Sequence, residues 1–285
     1  MAIAEPENPG ASRGVRPVTS AVTSDVTPDS VPTVTRMSSH ASSDRPTALV
    51  WTVVVAGGSG ARFGRPKQYE ALGDVRVIDR SVAVASGSSA GVVVVVPEPD
   101  VAREAARFGA ATAGVGVIVV AGGSSRSESV RAGLAAVPDH ADVVCVHDAA
   151  RPFADAALYA RVVAAVVAGA DGAIPGLAVT DTIKVVDADG RVVATPERST
   201  LRAVQTPQAF RADVLRLAHA SGAEGTDDAA LVEALGGRVV VVDGDVDNRK
   251  ITHPDDLEWA RGLVARRGID RGTDAVATDG PEEET

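Results

Sequence analysis

One cysteine, Cys145, stands alone in 285 residues, so the chain has neither a disulfide framework nor a thiolate metal cluster. Its setting, "DVVCVHD", is that of a packed strand residue rather than a nucleophile, because nothing places a histidine and an orienting partner around it. No stretch reaches the 18 or more apolar residues of a membrane span. Residues 1–48 lack the basic start and continuous apolar core of a signal peptide, and secretion is not expected. No fixed-period repeat is present. These absences point to a cytoplasmic protein with neither membrane nor nucleic acid as partner.

The ends differ in composition from the middle. Residues 1–48 hold six prolines and many serines and threonines without an apolar period, which cannot bury enough surface to offset chain entropy. Residues 268–285 carry six acidic side chains and one arginine, a net of −5 against −10 for the whole chain. Both are expected to be disordered tails around a single domain at 49–267.

Within that domain valine runs alternate with alanine-rich periodic segments. Strands are expected at Val50–Val55, Val92–Val96, Val117–Val120, Val143–His147, Ala173–Ile174 and Arg238–Val242. Helices are expected near 79–86, 100–108, 127–137 and 155–168. Strand then helix, repeated, predicts an α/β fold with a mostly parallel sheet covered on both faces in three layers. One segment, about 180–205, departs from this. It has two β-branched runs, Thr182–Val186 and Val192–Thr195, joined through Asp189-Gly190, a hairpin turn signal. Such a β-arm has little core of its own to cover, and a second copy of the chain is the economical thing for it to pack on.

Chemistry gathers after the strands. "VVVAGGSGARFGRPKQ" places Gly57, Gly58 and Gly60 at a strand's carboxyl end, where open α/β sheets bind ligands. The glycines let backbone N–H groups approach an anion, and Arg62, Arg65 and Lys67 supply fixed charge. A dinucleotide fingerprint is disfavoured because Phe63 stands where its third glycine belongs. A P-loop is disfavoured because Lys67 lies between Pro66 and Gln68. A polyphosphate is the remaining reading.

Three further clusters repeat the theme. In "AGGSSRSESVRAGL", Gly122 and Gly123 allow a flat ring close to the backbone, Ser129 can read its edge, and Arg126 can serve phosphate. In "VVCVHDAARPF", Asp148 follows a strand and can hold a hydrated Mg²⁺, bond a substrate hydroxyl, or cap the next helix. Arg151 beside it can pair with phosphate, and His147 reads as a packed strand residue. In "GTDDA" and "DNRKITHPDDL", Thr226-Asp227-Asp228 and Asp255-Asp256 suit helix caps, while Lys250 can return positive charge to the cleft.

"AGGSGARFGRPKQ", "GGSSRSESVRAGL", "VHDAARPF", "DTIK", "TPQAF", "GTDDA" and "DNRKITHPDDL" together resemble, in order and approximate spacing, the 2-C-methyl-D-erythritol 4-phosphate cytidylyltransferase family over roughly Val50–Val264. The resemblance implies a nucleotidyltransferase (Rossmann-like) fold whose β-arm is exchanged in a homodimer. It implies transfer of a cytidylyl group from CTP to a polyol phosphate with Mg²⁺ as cofactor. It assigns Arg62, Lys67 and Lys250 to catalysis, and Ala56, Gly57, Gly58, Gly60, Gly122, Arg126, Ser129 and Asp148 to CTP. Arg151, Thr182, Arg198 and Thr206 fall to the polyol phosphate, with Asp148 near the metal. The link "FGRP" between Arg62 and Lys67 is short for the family and carries an added arginine, Arg65, that can share the contact of Arg62. Two other readings share part of this pattern. A ribitol 5-phosphate cytidylyltransferase would differ at Thr182, Arg198, Thr206 and Lys250, and a non-catalytic nucleotide-binding module would need neither Lys67 nor Lys250.

Overall fold

The structure, a computed structural model, describes residues 48–58, 63–111 and 116–268. All described residues belong to one unit, Pro46–Thr285. The first half runs β1 (Val50–Val55), a small hairpin of β2 (Ala71–Leu72) and β3 (Val75–Arg76), α1 (Val77–Ser88), β4 (Gly91–Val96), α2 (Val101–Ala111) and β5 (Gly116–Ala121). It continues through α3 (Arg126–Ala136), β6 (Val143–Asp148), α4 (Ala156–Val167) and β7 (Gly172–Ala178). There follow a second hairpin of β8 (Val185–Val186) and β9 (Val192–Ala194), then β10 (Arg202–Val204), β11 (Gln208–Arg211), α5 (Ala212–Ala220), α6 (Asp228–Ala234), β12 (Val239–Asp243) and α7 (Pro254–Arg267).

The valine-rich β1, β4 and β6 form strands because both faces of this part of the sheet are covered, where β-branched side chains pack well. Alternation along the strands divides the core in two. Val54, Val92, Val94 and Val96 face Ile78 and Val82 of α1, Phe108 of α2 and Leu158 and Val162 of α4. Val53, Val93, Val95, Val144 and Val146 face Val130 and Leu134 of α3, Leu215 of α5 and Val232 of α6. The result is the expected α/β/α sandwich. A third cluster, with Phe63, Phe153, Ile251 and Leu257, seats α7 beside the first hairpin.

β5, β4, β1 and β6 are parallel neighbours in that order. The sheet then departs from a purely parallel pattern. β11 lies antiparallel between β6 and β7, β10 pairs antiparallel with the far half of β7, and β12 runs parallel on the other side of β7. The expected hairpin around Asp189-Gly190 is present, with Gly190 at φ 79° in the turn. Only Val185–Val186 of the expected first run is paired, and this arm forms its own two-stranded sheet off the main one. Among the described residues no helix is long and apolar enough to cross a bilayer.

Candidate active site

The carboxyl ends of the parallel strands open on a cleft of about 480 Å³. β1 delivers Ala56, Gly57 and Gly58, the turn after it delivers Lys67 and Gln68, and β5 leads into Gly123, Ser124, Ser125 and Arg126. β6 ends on Asp148, and the segment after β12 returns Lys250. Three cations, Lys67, Arg126 and Lys250, therefore reach one cleft from three separate connections, and Asp148 is the one acidic residue among the described lining.

Asp148 sits in the middle of these charges. Lys250 donates from Nζ to its Oδ2 at 2.6 Å, and Arg126 donates from Nε to its Oδ1 at 3.3 Å. Burial alone would raise the pKa of this carboxyl, but Arg126, Lys250 and Arg151 outweigh it and hold the group well below the usual carboxylate range. The surrounding cations thus favour its charged form. It caps no helix, because α4 is capped by Asp155, whose side chain accepts from Leu158 N at 2.7 Å.

Behind the cleft a hydrogen-bond chain fixes this loop. His147 Nε2 lies 3.1 Å from the Arg151 carbonyl, which can only accept, so Nε2 carries the proton. Nδ1 then accepts from the Thr206 hydroxyl at 3.2 Å, and the same hydroxyl oxygen accepts the Asp148 N–H at 3.0 Å. Burial pushes His147 down to about 4, which keeps the ring neutral in this role. Thr206 is itself buried, with both functions of its hydroxyl occupied, and does not line the cleft.

The second glycine loop is built around Ser129. Its hydroxyl donates to Ser125 O at 2.9 Å and accepts from Gly123 N at 3.2 Å. A Cβ at Gly122 would lie 2.8 Å from that oxygen, and one at Gly123 would lie 2.3 Å from Glu128 Cβ. Both positions therefore need glycine for close approach. Ser125 caps α3 reciprocally with Glu128, which leaves Arg126 at the first helical position with its side chain in the cleft.

A second depression of about 430 Å³ shares Lys250 with the cleft and is lined by Arg151, Arg249, Thr252 and His253 among others. Arg151 is held by two backbone carbonyls, Asn248 O at 2.8 Å and Val204 O at 3.3 Å. Its Nε is buried and without a hydrogen-bond partner, and burial lowers its pKa.

Of the residues singled out from the sequence, Ala56, Gly57, Gly58, Lys67, Arg126, Ser129, Asp148 and Lys250 meet in the cleft, and Gly122 lies directly beneath Ser129. Arg151 faces the adjoining depression. Thr182 and Arg198 are on the exposed arm, where Arg198 donates to Thr180 O at 2.7 Å, and line neither cavity. Gly60 and Arg62 lie outside the described residues. Arg65 turns away from the cleft into a bidentate pair with Glu70 at 2.5 and 2.9 Å.

Two participants escaped the sequence reading. Gln68, beside Lys67, returns its side chain to Gly58 O at 3.3 Å and ties the lysine turn to the first glycine loop. Asp228 reads as a capping residue, yet Asp227 caps α6. Asp228 instead lies buried against Arg126 Nη1 at 2.8 Å and His219 Nε2 at 3.0 Å. The doubled aspartate was the available signal, since one helix start uses only one such cap.

Comparison with known proteins places residues 50–266 on the family model described as IspD: 2-C-methyl-D-erythritol 4-phosphate cytidylyltransferase. The chain is 50% identical over 221 residues to the protein of that name from Rhodococcus jostii (strain RHA1), covering 75% of this chain and 95% of the relative. A protein of the same name from Frankia casuarinae is 46% identical over 220 residues, covering 76% of this chain and 82% of that one. The crystal structure of 2-C-methyl-D-erythritol 4-phosphate cytidylyltransferase from Thermus thermophilus matches with a TM-score of 0.61 at 34% identity, covering 77% of this chain and all of that one.

Proposed function

The chain belongs to the 2-C-methyl-D-erythritol 4-phosphate cytidylyltransferase family, and from this premise we propose how its cleft performs the family's reaction. The enzyme transfers a cytidylyl group from CTP to 2-C-methyl-D-erythritol 4-phosphate in isoprenoid precursor biosynthesis. An oxygen of the sugar phosphate bonds to the α-phosphorus of CTP, the bond from that phosphorus to the bridging oxygen breaks, and pyrophosphate leaves. The product is 4-diphosphocytidyl-2-C-methyl-D-erythritol. Two anions must meet, so the site has to offset their repulsion and stabilise charge growing on phosphoryl oxygens. No general base is needed, because a phosphate monoester is already ionised near neutral pH.

The observation that carries this reading is that Lys67, Arg126 and Lys250 line one cleft with a single carboxylate, Asp148, at the sheet's carboxyl edge. In the proposed assignment Lys67 and Lys250 hold the reacting phosphates, joined by Arg62. Ala56, Gly57, Gly58 and Gly60 bring backbone to the triphosphate, and Gly122 and Ser129 face the cytosine. Arg126, held between Asp148 and Asp228, keeps its charge at the opening of α3. Arg151 and the adjoining depression receive the sugar phosphate. Thr206 acts through the Asp148 backbone rather than by touching the sugar.

The residues present fit a Mg²⁺ carried by the nucleotide. Mg²⁺ commonly keeps several waters and takes one or two carboxylates beside substrate phosphates. Asp148 is such a carboxylate, and no cage of three acidic, histidine or cysteine side chains occurs among the described residues. When bound, the ion would neutralise phosphoryl charge, and Asp148 would orient it through water.

The reading extends to a homodimer. The arm exposes Ile183, Val185, Val186, Val192 and Val193, from 39 to 60%, a run of apolar surface suited to a second copy. Thr182 and Arg198, remote from their own cleft, then serve the partner's sugar phosphate. A cytoplasmic location belongs to the same reading, supported by a lone, buried Cys145.

The test is pyrophosphate release from CTP with 2-C-methyl-D-erythritol 4-phosphate or ribitol 5-phosphate as acceptor. A kcat/KM at least about tenfold higher with the first is expected, a gap of about 1.4 kcal/mol in transition-state binding. Equal or better turnover of ribitol 5-phosphate would transfer the enzyme to the sister specificity. Release with neither acceptor would leave a binding module.

A further inference from the structure

Lys67 opens a single 3₁₀ turn, Lys67–Tyr69, and two residues on, the side chain of Tyr69 engages a different part of the molecule. A 3₁₀ turn has about three residues per revolution, so positions i and i+2 point to different sides. Lys67 can therefore enter the cleft while Tyr69 is gripped outside it. The Tyr69 ring packs against two guanidinium groups, Arg103 at 4.8 Å and Arg76 at 5.5 Å from its centroid. Its hydroxyl donates to Asp100 Oδ2 at 2.8 Å. Burial and that carboxylate push the phenol up, so it remains a donor.

The gripping groups are themselves locked. Arg76 spans Asp79 at 2.7 Å and the fully buried Glu104 at 2.7 Å. Arg103 spans Glu104 at 2.9 Å and Asp100 at 2.8 Å, and Arg107 reaches Asp79 at 2.9 Å. Three arginines and three carboxylates thus fasten the start of α1 to α2, and Tyr69 packs on two of the arginines and donates to one of the carboxylates. None of Tyr69, Arg76, Arg103 or Glu104 lines the cleft. A network that only joined two helices would not need an aromatic ring from the lysine turn inserted in it.

We propose that Tyr69, held by Arg76, Arg103 and Asp100, is a positioning residue that fixes the Lys67 turn at the cleft edge and thereby sets the rate of cytidylyl transfer. The proposal rests on the role given to Lys67 above. A misplacement of about 1 Å at a reacting centre can cost a hundredfold in rate, and the clamp limits such movement from outside the site.

The test is a double-mutant cycle in kcat. Lys67→Ala is expected to lower kcat by at least about a hundredfold. Tyr69→Leu in the otherwise native enzyme is expected to lower kcat about tenfold, with KM for CTP within about twofold, at a temperature where its unfolding curve shows it fully folded. Tyr69→Phe, which keeps the ring in the clamp, should retain most of the rate. In the Lys67→Ala enzyme, Tyr69→Leu should change kcat by less than about twofold, because the group it positions is gone. The same tenfold loss with and without Lys67, or no loss in the native background, would overturn the clamp. A Lys67→Ala enzyme of native rate would overturn the clamp and the catalytic role of Lys67 together, while leaving the substrate assignment to the acceptor panel. Should Tyr69→Leu fail to fold, Arg103→Met removes one of the two guanidinium contacts from a side chain 57% exposed. It is expected to cost about threefold in kcat and nothing further in the Lys67→Ala background.

Discussion

His147 shows how one side chain can be placed correctly by its pattern and still have its work hidden. Its place in a valine strand marks it as packed, and it is fully buried. What the strand pattern does not carry is the identity of its partners, because Thr206 is 59 residues away in the chain. The protonation sign follows from the burial. Unfolded, the ring titrates near 6.5, and folded it titrates at about 4. As pH falls the unfolded chain takes up this proton first, so the contribution to stability is complete above about 6.5 and is lost between 6.5 and 4. By pH 5 the loss is about 2 kcal/mol. Urea unfolding of native protein and His147→Gln at pH 7 and pH 5 checks it: the stability gap between the two should shrink by about that amount on acidification. A gap that stays constant would show that the ring is not held neutral. At this same scale Lys67, Asp148 and Lys250 were legible because each follows a strand in a glycine-rich or charged connection. Asp228 was not, because a carboxylate at a helix start looks the same whether it caps or pairs with a distant arginine.

At the scale of elements, β4 is readable because burial on both faces leaves an uninterrupted valine run, and β1, β5 and β6 because their short stretches are rich in valine. β11 gives no such signal. It is four residues, "QAFR", preceded by Pro207 and opening on a glutamine. It is a strand because β6 and β7 leave a gap that it fills, and because Gln208 finds Asp227 Oδ2 at 2.9 Å. Phe210, with no exposed surface, lies over Gly172, where a Cβ would come within 2.6 Å of the ring. Phe210→Ala should therefore cost about 3 to 5 kcal/mol. The urea midpoint at unchanged m-value measures it, and a cost below about 1 kcal/mol would mean that β11 is dispensable to the core.

At the scale of the whole molecule, the arm is the feature whose sequence signal outran its local context. Asp189-Gly190 between β-branched runs announced a hairpin, and its exposed valines have no covering layer within the described residues of the chain. In the proposed dimer, Val186→Asp with Val193→Asp would bury unpaired carboxylates at the contact, costing at least about 3 kcal/mol, or more than a hundredfold in Kd. Sedimentation equilibrium should show a dimer for the native protein and a monomer for this double variant, with turnover reduced alongside. A native protein that is monomeric and fully active would remove Thr182 and Arg198 from the shared site. The placing of β11 also bears on how the polypeptide is made. β6 leaves the ribosome about 60 residues before the strand that must dock against it. At 5 to 20 residues per second the far edge of β6 stays open for about 3 to 12 seconds, and the edge of β7 that β11 also fills for about half as long. Those edges are what a holding chaperone would shield, and synonymous codons that slow translation just before residue 208 should raise the share lost to aggregation.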